Sequence, residues 1–481
     1  KKLNLQKNQG YGGGISEGLK ITNGRFIGWA HADLQTPLID FFKLFQIIQK
    51  KNIVYGKGTR INNRGYDGII SRFHEKLASL VLNKSMKEIN AQPKIFSRNL
   101  LDYFKKIPKK WTTIDTYTYY VCLINNIEVV EYDVVFRSRI HGFSKWKNNL
   151  SSFLSHVFFN TLWEKAKRTL YVTMRDTYMD CPDRERSQWW GDVVNESGEA
   201  FYALDLKSHS LTKKGILELI AWQREDNTLY SPVPSGNWER ELPGQMLASI
   251  GYFGFWNYYL NTGDITTLNK VYDGVKKYID IWKLDENGIL VDRITANTKT
   301  TWYWGDWGKN QDKKLLINAW YYLALKGYRL MSIALEKKDQ VQWSEQAMFN
   351  FKQAFNRKFW DGKQYKSPDN IQPTDDRSQA LAVVSGLADE DKYKALYDVF
   401  LTQEFASPYM EKYVCEALFQ MGRGEYALER LKKRFKLMVE SKEHSTLFEG
   451  WGSGKEGYGG GSTNHAWSGG GLTILSQYVC G

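Results

Sequence analysis

Asn261-Thr262-Gly263-Asp264 separates two stretches, residues 241–261 and 265–284, in which apolar side chains return at helical spacing. Gly263 supplies a residue that can leave a helix in the left-handed conformation, and Asp264 a carboxylate that can cap the next one. A turn this short folds two helices back into an antiparallel hairpin. Tight turns recur at Leu387-Ala388-Asp389-Glu390 and Met421-Gly422-Arg423-Gly424. Working outward, the same periodicity predicts helices over 153–175 (Phe158, Leu162, Ala166, Leu170, Met174) and roughly over 191–205, 209–223, 314–337, 341–357, 376–386, 390–403, 408–421, 424–440 and 463–478, twelve in all. One hairpin cannot bury its own apolar face, whereas six stacked in a ring close a core. The fold class read for residues 151–481 is therefore mainly α, an (α/α)6 toroid. A superhelical solenoid with the same helix count is the alternative.

Residues 1–150 have a different texture and are read as a smaller mixed, partly β region. Gly10 to Gly14 suggests a flexible start. The β-branched and aromatic runs 117–124 and 129–136 predict strands, and Lys-rich stretches around 40–50 and 66–82 have helical spacing. The whole net charge of +13 belongs to this region, which holds 25 Lys and Arg against 11 Asp and Glu, while residues 151–481 hold 41 against 42. Such a basic stretch is a solvated surface or an anchor for an anionic polymer; no nucleic-acid motif accompanies it, so no nucleic-acid partner is expected. No apolar run approaches the length of a membrane span. Cys122, Cys181, Cys415 and Cys480 form no metal or redox pattern. No signal stretch is visible at the start; a signal already removed would fit a periplasmic or secreted protein. Compartment and oligomeric state are left open.

The connections 176–190, 224–240, 285–313, 358–375 and 441–462 are rich in Trp and acids, and in a toroid they collect on one face. Asp180-Cys181-Pro182-Asp183-Arg184-Glu185-Arg186-Ser187-Gln188-Trp189-Trp190-Gly191-Asp192 concentrates carboxylates, arginines and indoles. Charges so dense are desolvated only when paired or used. His444 to Trp451, Gly459 to Gly470 and Thr301 to Trp307 mix an acid or histidine with tryptophan in the same way. Carboxylates beside indole faces suit a sugar: acids move protons and hold hydroxyls, and rings pack on the apolar face of a pyranose. Glu185 and Glu449 fit the two carboxyl roles of glycoside hydrolysis, with burial against tryptophan able to keep one protonated. Plainer readings stand beside these: Glu185 paired with Arg184 or Arg186, Asp192 as a helix cap, His465 as a satisfied core histidine, Asp306 as a turn acid, and Trp304 and Trp307 as core. Thr374-Asp375-Asp376-Arg377 reads as a helix cap.

Asp180-Cys181-Pro182-x-Arg184-Glu185-Arg186-x-x-Trp189-x-Gly191-Asp192 resembles the signature of bacterial α-L-rhamnosidases of glycoside hydrolase family 78. Phe158 to Glu164 with Arg168-Thr169-Leu170, Ser407-Pro408-Tyr409 with Glu416-Ala417-Leu418, Thr446-Leu447-Phe448-Glu449 and Ser462-x-Asn464-His465-Ala466-Trp467-Ser468 follow in the family's order. The resemblance spans most of residues 153–481. It implies an (α/α)6 catalytic domain and an inverting mechanism, with Glu185 as general acid and Glu449 as general base. It also implies that Asp180, Arg184 and Asp192 hold rhamnose hydroxyls with His465 nearby, that Trp189 packs on the sugar, and that Trp304, Asp306 and Trp307 line the pocket. No metal or organic cofactor is required. The family's flanking β-sandwich domains are not legible here; the last toroid helix runs to the end of the given chain, and residues 1–150 do not read as a sandwich.

The expected function is thus the inverting release of terminal α-L-rhamnose from plant polysaccharides, oligosaccharides or glycosides. The alternatives are a related six-hairpin enzyme for another deoxy sugar or a uronic acid, a non-catalytic sugar-binding relative, and an anchoring protein acting through its basic segment.

Overall fold

The computed structural model describes residues 10–30, 36–61, 75–76, 78–79, 82–104, 113–135, 150–234, 239–293, 300–454 and 461–479. The chain divides into two compact units between Phe143 and Ser144.

The first unit is built on a four-stranded sheet of β1 (Phe26–Trp29), β2 (Tyr55–Arg60), β3 (Lys94–Ser97) and β4 (Val129–Val134), in the order β1-β3-β2-β4. β3 pairs antiparallel with β1 and β2, and β2 parallel with β4. Alternation along β3 divides the apolar residues between the two faces. Ile95 joins Leu44 and Ile48 of α2 (Leu38–Ile48), while Phe96 packs with Tyr55, Tyr119 and Phe104. Two sequence expectations are corrected. Residues 117–124 are not a strand; they belong to α3 (Thr113–Ile124), because Ile114, Thr118, Val121 and Cys122 are buried at a helical period that outweighs their β propensity. The Gly-rich start is not a coil; it opens α1 (Gly10–Ile21). The helix expected around 40–50 and the strand at 129–136 are present as α2 and β4, and most of 66–82 lies outside the described residues.

The second unit is the toroid. Its helices are α4 (Leu150–Thr173), α5 (Trp190–Ala203), α6 (His209–Ala221), α7 (Pro243–Ile250), α8 (Asn257–Thr262), α9 (Ile265–Asp280), α10 (Lys313–Ala334) and α11 (Lys338–Phe359). They continue as α12 (Asp376–Ser385), α13 (Tyr393–Thr402), α14 (Pro408–Gln420), α15 (Gly424–Arg434), α16 (Lys436–Glu440) and α17 (Gly470–Ile474). α7 and α8 are one predicted helix interrupted by a π turn at Tyr252–Trp256, α15 and α16 another with a break between them, and α17 lies between a 3-10 turn at Ala466–Gly469 and a π turn at Leu475–Val479. The 261–264 turn behaves as its residues require. Gly263 has φ +68° and gives its N–H to Tyr259, and Asp264 accepts the Thr267 N–H at 3.0 Å.

The ring closes, which excludes a solenoid. Trp163 of α4 donates to Ser476 Oγ at 3.1 Å, and Leu162 lies where a Cβ on Gly471 of α17 would fall. Lys165 Nζ completes the seam by donating to the carbonyls of Met438, Ser441 and His444 at 2.7, 2.8 and 2.7 Å. A lysine replaced by methionine there keeps the stem and strands three acceptors, so Lys165→Met is expected to cost about 2–4 kcal/mol in urea denaturation. Among the described residues no helix is long and apolar enough to cross a membrane.

Candidate active site

The acid-rich loop leaves α4 and climbs to the start of α5. Its shape follows from local bonds. Asp180 N–H donates to Ser187 O at 3.0 Å, and Ser187 N–H returns to Asp180 Oδ1 at 2.9 Å. Arg186 takes a left-handed φ of +53°, anchored by its Nε donating to Pro182 O at 2.7 Å. Trp189 then caps α5 through its backbone, half-buried against the core. Asp192 is not a cap; it sits within the first turn, buried.

The second loop, 441–465, brings Glu449 to this one. Glu449 N–H donates to Ser462 O at 2.9 Å, Ser462 N–H donates to Glu449 Oε2 at 3.2 Å, and Trp467 Nε1 donates to Glu449 O at 3.0 Å. Ser462 Oγ also donates to Asp183 Oδ1 at 2.7 Å, tying the loops together. Arg184 completes the join: its Nη2 lies 3.2 Å from Glu185 Oε2 and 3.1 Å from Glu449 Oε2. Two acids some 260 residues apart in the chain therefore meet on one nitrogen. Their side chains differ in exposure, 38% for Glu185 and 3% for Glu449.

The electrostatics divide the carboxyls. Burial, a hydrogen bond to Glu185 and that group's charge push Asp180 up to about 8, although the Cys181 thiol and the Ser187 N–H favour its anion. Burial also acts on Glu185, but the hydrogen bond from Asp180 and the Arg184 charge outweigh it and hold Glu185 below the ordinary range. The pair thus keeps one proton at neutral pH, resting on Asp180. The two carboxyls part in this way because Asp180 is buried and Glu185 is not. Burial, then Asp180 and Glu449, push Asp192 well up; burial, then Arg184, push His465 well down. The 3.5 Å contact between His465 Nδ1 and Asp192 Oδ1 is therefore no ion pair, and neither atom has a hydrogen-bond partner.

The aromatic residues form a connected wall. Trp302, Trp304 and Trp307 touch one another, Trp304 stacks on Trp467 at 5.9 Å and 17°, and Trp467 lies 4.3 Å from the His465 ring. Trp304 is buried and Trp307 half-buried. Asp306 is buried, its Oδ2 held by Arg377 at 3.3 Å and by the Ser407 N–H at 3.0 Å, with Oδ1 unpartnered. Sequence reasoning did not single out Trp467 and Tyr409 as wall residues, nor Cys181 as a partner of the acids, although all three lie inside quoted motifs. It also missed Glu196 and Glu199, buried one and two turns along α5 from Asp192; nothing but tertiary burial marks them. Asp180, Cys181 and Glu185 are the only group among the described residues with three metal-type ligand atoms within 4.8 Å of one another, and their mutual hydrogen bonds already use them.

A family model described as the bacterial alpha-L-rhamnosidase 6 hairpin glycosidase domain matches residues 150–479, over half of the chain. The chain belongs to that family. Among solved structures it is similar to the family 78 rhamnosidase of Bacillus sp. GL1 (19% identity, TM-score 0.58, 67% of this chain and 35% of that one). It is equally similar to a rhamnosidase from Klebsiella oxytoca with rhamnose bound (19%, 0.58, 67% and 64%). The α-L-rhamnosidase of Streptomyces avermitilis complexed with L-rhamnose is a third (17%, 0.55, 66% and 31%). The chain spans about a third to two thirds of the length of these relatives. No curated protein matches it by sequence. The six-hairpin rhamnosidase domain thus accounts for the second unit of the fold.

Proposed function

We propose that this rhamnosidase-family chain is an inverting glycoside hydrolase that releases terminal α-L-rhamnose from plant polysaccharides, oligosaccharides or glycosides. The observation that carries the reading is the meeting of Glu185 and Glu449 on Arg184 beside a tryptophan wall, within a domain of this family. Water attacks the anomeric carbon and yields its proton to Glu449, while Glu185 protonates the departing oxygen. The Ser462 N–H and Arg184 suit a carboxylate at Glu449. Asp180, Arg184, Asp192 and His465 hold sugar hydroxyls, and Trp189, Trp304, Trp307 and the free oxygen of Asp306 complete the pocket. In the resting arrangement Arg184 binds both acids through one nitrogen and so holds their two nearest oxygens closer together than the about 6.5–9.5 Å that an inverting pair uses. A bound sugar that takes over the guanidinium frees both acids and opens room for water.

Hydrolysis of p-nitrophenyl α-L-rhamnoside, followed by NMR of the first anomer released, tests this reading. An inverted product is expected; a retained one would sink the mechanism, and no turnover by folded protein would sink the substrate. On an alkyl α-L-rhamnoside, whose leaving oxygen must be protonated, the rate should also fall as pH rises through about 8, since the Asp180–Glu185 proton is present below that value and lost above it. Arg184 and Asp192 interact with this pair and tune the same limb.

A further inference from the structure

Cys181 stands between the two carboxyls that deliver the proton in the proposed reaction. Its side chain is fully buried. The thiol donates to Asp180 Oδ2 at 2.9 Å and lies 3.7 Å from Glu185 Oε2. The backbone N–H and the guanidinium of Arg184 both hydrogen-bond to the sulfur. Burial and the neighbouring Asp180 charge hold the thiol protonated, so its role here is that of a donor rather than a nucleophile. Asp180 consequently has a donor on each oxygen, the Ser187 N–H on Oδ1 and the Cys181 S–H on Oδ2, besides its hydrogen bond with Glu185. Two donors aimed at a group that rests as a neutral acid are better matched to its anion. The arrangement makes sense if Asp180 becomes negative during the reaction.

We propose that Cys181 is a positioning residue for proton delivery: its S–H holds Asp180 against Glu185 and stabilises Asp180 as an anion when their shared proton leaves. This rests on the rhamnosidase reading above. In the step, the proton passes from Asp180 to Glu185 and from Glu185 to the glycosidic oxygen, which takes the electron pair of the breaking bond to C1. The oxygen of water bonds to C1, and its proton goes to Glu449. Solvent then returns a proton to the Asp180–Glu185 pair as Glu449 gives one up, so no further reactant is needed.

Serine at 181 keeps a donor and alanine removes it. The full chain and its Cys181→Ala and Cys181→Ser variants would be assayed on an alkyl α-L-rhamnoside, whose leaving group must be protonated, and on the p-nitrophenyl glycoside, which needs little help. Alanine is expected to lower kcat/KM on the alkyl glycoside by about tenfold or more and on the nitrophenyl one by less than about threefold, with serine restoring most of the loss. Equal losses on both substrates, no loss on either, or no rescue by serine would reduce Cys181 to a packing residue and overturn the proposal. Infrared spectra of the S–H stretch decide the contact without turnover. A hydrogen-bonded band is expected that disappears in Cys181→Ala and shifts in Asp180→Asn, whereas a band of an unbonded thiol overturns the contact itself. Wild-type protein that cleaves neither rhamnoside but shows that band would locate the failure in the substrate reading, not in the thiol.

Discussion

Glu449→Gln lowers kcat on p-nitrophenyl α-L-rhamnoside by about a thousandfold while KM and the melting temperature stay nearly unchanged; this is the expected outcome of removing the base from the proposed reaction. The geometry explains why the effect separates from folding. Glutamine keeps an oxygen for the Ser462 N–H at the position of Oε2, and the backbone bonds of Glu449 to Ser462 and Trp467 do not involve its side chain. What disappears is a carboxylate able to accept a proton from water, together with its charge beside Arg184, which keeps Glu185 as a partner. Glu185→Gln should fall by a comparable factor on an alkyl glycoside and by less on the nitrophenyl one, because an acid matters only when the leaving oxygen needs its proton. Steady-state kinetics on both substrates checks the pair of variants. A Glu449→Gln enzyme that keeps more than about a tenth of its rate would remove Glu449 from the chemistry.

The contrast between these two acids also shows where sequence reasoning reaches its limit. Their identities were legible because each lies in a compact motif, and the ring that joins them was legible because apolar residues such as Leu162, Ala166 and Leu170 repeat at helical spacing. The protonation pattern was not. It depends on which carboxyl is covered, and burial is a property of the packed toroid: Asp180 is buried, whereas Glu185 remains 38% exposed beside Arg184. The pairing of Glu185 with Arg184 was legible in the sequence, but not that the same guanidinium also reaches Glu449 in another loop. In the first unit, the misread helix α3 shows the opposite failure. Tyr117, Thr118, Tyr120 and Val121 favour a strand locally, but burial of Ile114, Thr118 and Cys122 on one face makes the helix win.

Charge far from the acids carries the largest expected stability effect, and it shows why the loops are held so firmly. Arg430 of α15 is buried, and its Nε and Nη2 donate to Glu411 of α14 at 2.6 and 3.0 Å. Nη2 also binds Asp376 at the start of α12, and Nη1 donates to Phe400 O and Gln403 O at 3.2 and 3.0 Å. Asp376 in turn accepts the N–H groups of Phe405 and Ala406 at 3.1 and 3.0 Å, and Ala406 O accepts Trp451 Nε1 at 2.8 Å, two residues beyond Glu449. Arg430→Met fills much of the same space but leaves Asp376 buried without its cation and Glu411 with only the more distant Arg434 guanidinium at 3.7 Å, so it is expected to cost about 3–5 kcal/mol in urea denaturation. Adding Glu411→Gln should recover part of that loss, because a neutral amide no longer needs the missing charge. The same logic predicts that the double variant, once folded at low temperature, keeps most of its turnover: the network positions the loop from behind and offers no group to the sugar. A double variant as unstable as the single one would mean that Arg430 acts by its shape and its carbonyl contacts rather than by neutralising buried acid.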